Sequence, residues 1–168
     1  METWLIIFIG ACIGGLAGGL LGLIIDFLLS LINYHVGIRW ELLVPYTHLV
    51  KETILFTNDI LVGKKIKHFP SYRIRYYGHK RYSGMFDGTV TVYVGSNPDI
   101  PGLVDTVLHE VQHYVQSLTD RQYKYYDRYT AERGYWDNPF EVECRAFATQ
   151  HRDACLKCLE SKNIIKRT

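Results

Sequence analysis

From Trp4 to Ile25 the chain runs for 22 residues without one charged side chain. At 1.5 Å per residue, a helix over that stretch matches a hydrocarbon core of about 30 Å. Asp26 interrupts the run, Phe27 to Ile32 continue it at one interface, and Trp4 suits the other, where an amphipathic ring is favoured. A cleaved secretory signal fits less well, because Glu2 is acidic, no basic residue precedes the run, and the run exceeds a usual apolar h-region. Residues 1–33 are therefore expected to form a single transmembrane anchor, touching lipid over residues 4–32. Gly10, Gly14, Gly18 and Gly22, interleaved with Gly15 and Gly19, give this segment a small-residue face for self-association. Arg39 and Lys51 follow the span and no lysine or arginine precedes it, which places the bulk of the chain in the cytoplasm.

The remaining residues, 34–168, read as one soluble domain rich in tyrosine. Nineteen Lys and Arg against seventeen Asp and Glu leave a net charge of +2, too small to imply nucleic acid as a partner. The cysteines do not form a disulfide framework. Cys12 lies in the apolar run, Cys144 sits in an expected helix, and the lone pair Cys155 and Cys158 would share one helix face.

Hydrophobic periodicity predicts a helix from Pro45 to about Val62, with proline at its first turn. Tyr72 to Tyr77 and Thr89 to Val94 alternate and are β-branched or aromatic, as strands prefer, with turn chemistry at Gly84 and Asp87-Gly88 between them. A short antiparallel sheet is expected. Pro101 opens a helix reaching about Ser117 or Leu118, and Pro139 opens another, capped by Asn138 and running towards Lys162. Between them lie Tyr123, Tyr125, Tyr126, Tyr129, Tyr135 and Trp136; most of these tyrosines are expected to pack with their hydroxyls in water.

The first of these two helices carries His109-Glu110-Val111-Gln112-His113. One helical turn separates the histidines, so both imidazoles project from one face and can grip one ion. Glu110 points about a quarter-turn away, where it reaches a water on the ion rather than the ion itself. Hydrolysis by metal-activated water needs that division of labour. Val104, Val107, Leu108, Val111 and Val115 supply an apolar back to the helix. A catalytic zinc takes three protein ligands. Gln116 and Thr119 stand where an extended HExxHxxGxxH pattern needs glycine and histidine, which excludes that subclass. The third ligand is then a carboxylate from the later helix, and both Glu141 and Glu143 are available.

Here the sequence resembles the HExxH zincin superfamily of metallopeptidases, in its gluzincin-like form. There a second helix carries an ExxA(D/N)-type motif whose first Glu is the ligand. Setting Glu141-Val142-Glu143-Cys144-Arg145 on that pattern implies His109, His113 and Glu141 as metal ligands, Zn2+ as cofactor and Glu110 as general base. Cys144 replaces the small alanine and Arg145 the acidic or amide residue that orients a ligand histidine, so that support must come from Glu143, Asp105 or a backbone carbonyl. The departure also keeps Glu143 as a rival ligand.

The resemblance covers residues 84 to about 150 and extends to compact SprT-like zincins. It implies an α+β fold: a transmembrane helix, then a minimal zincin-like domain over 34–168 with a short antiparallel sheet, the HExxH helix and a second helix bearing the Glu ligand. In such folds an edge strand holds an extended peptide or protein substrate, and Thr89 to Val94 is the candidate. Tyr129, Tyr135 or His151 would donate to the oxyanion. The activity implied is a membrane-anchored zinc metallopeptidase; the alternative is a non-catalytic zinc-binding scaffold or regulatory protein on the same fold.

Overall fold

Proline stands at the head of each long helix of the domain. The computed structural model describes residues 40–61 and 68–168. Helix α1, Tyr46–Leu61, follows Pro45, whose carbonyl accepts from His48 and Leu49 N–H. Helix α2, Ile100–Thr119, has Pro101 in its first turn and Asp99 as N-cap, accepting from Gly102 N–H at 2.7 Å. Helix α4, Pro139–Ser161, is capped by Asn138, whose Oδ1 accepts from Phe140 N–H at 3.0 Å. Proline at the first turn forfeits no helical hydrogen bond, and the cap satisfies an amide left free there. A further helix among the described residues, α3 (Tyr126–Arg133), arises in the tyrosine-rich stretch, where the hydrophobic pattern predicts no element.

The fold is α+β. The strands are β1 (Trp40–Leu42), β2 (Tyr72–Arg75), β3 (Gly84–Phe86), β4 (Val90–Tyr93) and β5 (Ile165–Arg167). The expected antiparallel sheet is a mixed one, in the order β2-β4-β3. β4 pairs parallel with β2 and antiparallel with β3, through a turn in which Gly88 takes φ +90°. β3 is only Gly-Met-Phe, too short to show a period, so its residues read as turn chemistry. Its insertion makes β4 the central strand, with Val90, Thr91, Val92 and Tyr93 all buried. β4 therefore cannot be the free edge expected at Thr89 to Val94; beside the cleft that edge is β3. β1 and β5 form a separate antiparallel pair, Trp40 opposite Arg167 and Leu42 opposite Ile165.

Helix α2 is the axis of the domain. Leu103, Val104, Val107, Leu108 and Val111 are buried in one core with Leu49, Val50 and Ile54 of α1, Val90 and Val92 of β4, and Cys155, Leu156 and Leu159 of α4. The core is large enough that α2 buries polar side chains as well: Glu110, Gln112, His113 and Gln116 are all under 8% exposed. Buried polar groups need partners, so their presence on one helix signals a built site. Among the described residues no helix is long and apolar enough to cross a membrane. The span expected at residues 4–32 lies outside them.

Asn138 holds α3 to the start of α4. Besides capping, its Nδ2 donates to Tyr126 O at 3.1 Å and Thr130 Oγ1 at 2.8 Å, and the residue is fully buried. A lost cap alone costs about 1 kcal/mol, and unpaired buried groups add about 1–3 kcal/mol. Asn138→Ala should therefore destabilise the domain by more than a cap, about 2–4 kcal/mol in denaturant unfolding. A loss below about 1 kcal/mol would show that the amide does not join the two helices.

Candidate metal centre

The four-residue spacing on α2 stacks His109 and His113 on one face, ring centroids 4.9 Å apart. Glu141, in the first turn of α4, comes in from the neighbouring helix. Its Oε2 lies 3.2 Å from His109 Nε2 and its Oε1 3.0 Å from His113 Nε2. Two bonds of about 2.0–2.2 Å at a tetrahedral angle put ligand atoms about 3.3 Å apart, so these separations fit the edge of a metal polyhedron. Glu141 Oε2 is also buried with no hydrogen-bond partner, as expected of an atom reserved for a cation. The nitrogen and oxygen donor set fits a divalent metal.

Three further side chains hold that carboxylate. Tyr126 O–H donates to Glu141 Oε1 in a short hydrogen bond, and Tyr135 faces the same group. Arg145 Nη1 stands 3.9 Å from Oε2, one turn along α4, with its guanidinium over the Trp136 ring and Nη2 donating to Trp136 O. Burial pushes the Glu141 carboxyl up, but the imidazoles of His109 and His113 and the hydroxyls of Tyr126 and Tyr135 around it outweigh burial and hold it well below the usual carboxylate range. Burial and the bond to Glu141 raise the Tyr126 hydroxyl, which stays a donor.

His109, His113 and Cys144 also form a group that could hold a metal ion, with donor atoms within 4.8 Å of one another. Cys144 Sγ, however, meets His113 at Nδ1, 3.3 Å away, on the ring edge opposite Glu141. One ion cannot use both edges. Burial pushes the Cys144 thiol far up, and a thiol is a poor ligand beside an ionised carboxylate. The Glu141 side is the better donor set.

Glu110 lies against the sheet edge. A methyl group added at Gly84 of β3 would fall 2.8 Å from Glu110 Oε1 and 2.6 Å from Thr106 Cγ2, so only glycine lets strand and helix come this close. Burial, then the charge on Glu141, pushes the Glu110 carboxyl up to about 8. Two adjoining cavities, of about 660 and 500 Å³, share Tyr82, Gly84, His109, Glu110 and Tyr135. They form one groove that continues on both sides of His109 and Glu110.

The structure thus brings His109, Glu110, His113 and Glu141 together. Glu143 is not among them: its carboxylate accepts instead from Gln112 and Gln116. Asp105 lies 3.7 Å from Arg152 and supports neither histidine. Of the three expected oxyanion donors, Tyr135 lines the groove. Tyr129 instead donates to Gln122, and His151 packs at a tilt against Phe147. Tyr126 was missed, because fifteen residues separate it from Glu141 and only the placing of α3 makes them neighbours.

No family model, curated protein or solved structure matches the chain. The close approach at Gly84 is open to test. Gly84→Ala should destabilise the domain by about 1–3 kcal/mol through overpacking against Thr106 and Glu110. A thermal midpoint equal to that of the unaltered protein would show that β3 and α2 are not in close contact there.

Proposed function

We propose that the chain is a zinc-dependent metallopeptidase, with His109, His113 and Glu141 as ligands and Glu110 as general base. The observation that carries this reading is the Glu141 carboxylate reaching both imidazole Nε2 atoms, at 3.0 and 3.2 Å, from a separate helix. Two nitrogens and one carboxylate are a ligand set of catalytic zinc sites, which keep a further position open. Zinc bound there supplies Lewis acidity to a water and to the substrate carbonyl.

Every other part of the reaction falls to this chain's own groups. Glu110 takes a proton from the attacking water at its carboxylate and hands it to the departing amine. Neutralising the Glu141 charge removes one of the two causes that raise Glu110, and so favours its basic form. Tyr135 lines the groove beside Glu141, and turned away from that carboxylate its single hydroxyl hydrogen serves the oxygen that gains charge in the tetrahedral intermediate. Tyr126 and Arg145 keep Glu141 oriented. Among the described residues β3 pairs only with β4, which leaves its outer edge to hold a peptide in extended form along the groove. A groove that continues on both sides of Glu110 suits cleavage within a chain.

Glu110→Gln should lower kcat about 10²–10⁴-fold on an unfolded protein substrate, while zinc content stays at that of the unaltered protein. His113→Ala should lose both zinc and activity. Near-normal turnover by Glu110→Gln would sink the peptidase reading. One zinc per chain with no cleavage of unfolded protein or a peptide library would leave the non-catalytic zinc-binding scaffold in its place.

The anchor belongs to the same reading. We infer from the uncharged run that residues 4–32 tie the domain to a membrane as a single span, with the domain on the cytoplasmic side. The full chain should stay with membranes at alkaline pH, and a chain lacking residues 1–33 should leave them. Release of the full chain by alkali would rule the span out.

A further inference from the structure

Gln112 and Gln116 have the look of surface residues in sequence, yet they are 1% and 2% exposed in the structure. They sit one turn apart on α2, and both reach across to α4. Gln112 Nε2 donates to Glu143 Oε1 at 2.9 Å, and Gln116 Nε2 donates to Glu143 Oε2 at 2.9 Å and to Phe140 O at 3.2 Å. Gln116 Oε1 is 3.1 Å from His113 Nδ1, and the Cys144 thiol donates to the same oxygen at 3.3 Å.

The hydrogen-bonding roles in this cluster leave little freedom. A backbone carbonyl and an ionised carboxylate can only accept. The amino end of Gln116 must therefore face Phe140 and Glu143; the reversed amide would set oxygen against oxygen at both contacts, at about 1–3 kcal/mol for each buried group left unpaired. The carbonyl end then faces His113, and it too can only accept. His113 Nδ1 must carry the ring proton. In the neutral ring Nε2 then keeps its lone pair, and that is the atom 3.0 Å from Glu141 Oε1. Nitrogen and oxygen lone pairs face each other there, an arrangement that calls for a cation between them.

We propose that Glu143 and Gln116 are positioning residues that fix His113 in its Nδ1–H tautomer, so that Nε2 is presented to the metal before any metal arrives. Glu143 acts through Gln116, and Gln112 braces the second carboxylate oxygen. The relay fills the place of the acidic or amide residue that Arg145 displaces. It rests on the metal-site reading for its purpose but not for its geometry, which is complete in the protein alone.

The test uses the full chain with 15N-labelled histidine, freed of metal, and reads the ring protons by long-range proton–nitrogen correlation. In the unaltered protein His113 should show the Nδ1–H form alone. Gln116→Ala should give a mixture of tautomers at His113 with His109 unchanged, and zinc affinity, read against a chelating dye, should fall about 10–100-fold. Glu143→Gln, at an exposed position, gives a second variant should the first fail to fold; its shifts should be smaller and in the same sense. A proton on Nε2 of His113 in the unaltered protein, or an unchanged His113 pattern in both variants, overturns the proposal. An Nδ1–H signal in a protein that takes up no zinc would support the relay and count against the metal site, so the two can fail separately.

Discussion

A carboxylate buried between two imidazoles is the constraint around which this domain is organised. Glu141 is 1% exposed, and an isolated charge in such a place would be expensive. It is tolerable because polar groups surround it: the Tyr126 hydroxyl donates to one oxygen, Tyr135 and the Arg145 guanidinium stand beside it, and the Nε2 edges of His109 and His113 leave a place for a cation between them and the carboxylate. The packing that achieves this is largely that of α2 against α4, and the sheet, α1 and the tyrosine layer keep those two helices in place. Removing any one support leaves a buried charge with fewer partners, which is why polar residues are so dense on an otherwise apolar axis helix.

The two faces of His113 divide the labour. Its Nε2 edge looks into the groove, towards Glu141. Its Nδ1 edge looks into a closed polar cluster of Gln116, Cys144 and Glu143. Such clusters specify one arrangement when each donor meets an acceptor, and are costly when they do not. Glu110 occupies the opposite extreme. It is buried with no donor to stabilise its charge, and the backbone of β3 presses on it at Gly84. Two residues three apart on one helix thus set one ring against a polar cluster and one carboxyl against the backbone of a strand.

Much of this was legible in the chain itself. The HExxH spacing, the proline-headed helices and the Asn138 cap are local signals, each read within one or two turns, and they correspond to α2 and α4 with small shifts at the ends. Glu141 could be preferred over Glu143 through the register of a resembling motif, and the packing of α4 on α2 gives the two carboxylates different partners, the imidazoles for Glu141 and Gln112 and Gln116 for Glu143. What could not be read depends on contacts between distant residues. The parallel pairing of β2 with β4 follows from β3 crossing to the far edge, and three residues of Gly-Met-Phe carry no period that announces a strand. Gln112 and Gln116 carry no local signal of burial; the acidic residue that partners them in the core lies on another helix. Tyr126 was one tyrosine among many until α3 aimed it.

Asn138 is joined to Pro139, whose ring nitrogen bears no hydrogen. Asparagines ordinarily age when the amide nitrogen of the next residue attacks the side chain and closes a cyclic imide, and proline cannot make that attack. The buried linchpin between the tyrosine layer and α4 is thereby shielded from slow chemical decay, so the geometry around Glu141 can outlast exposed asparagines that lack such a neighbour.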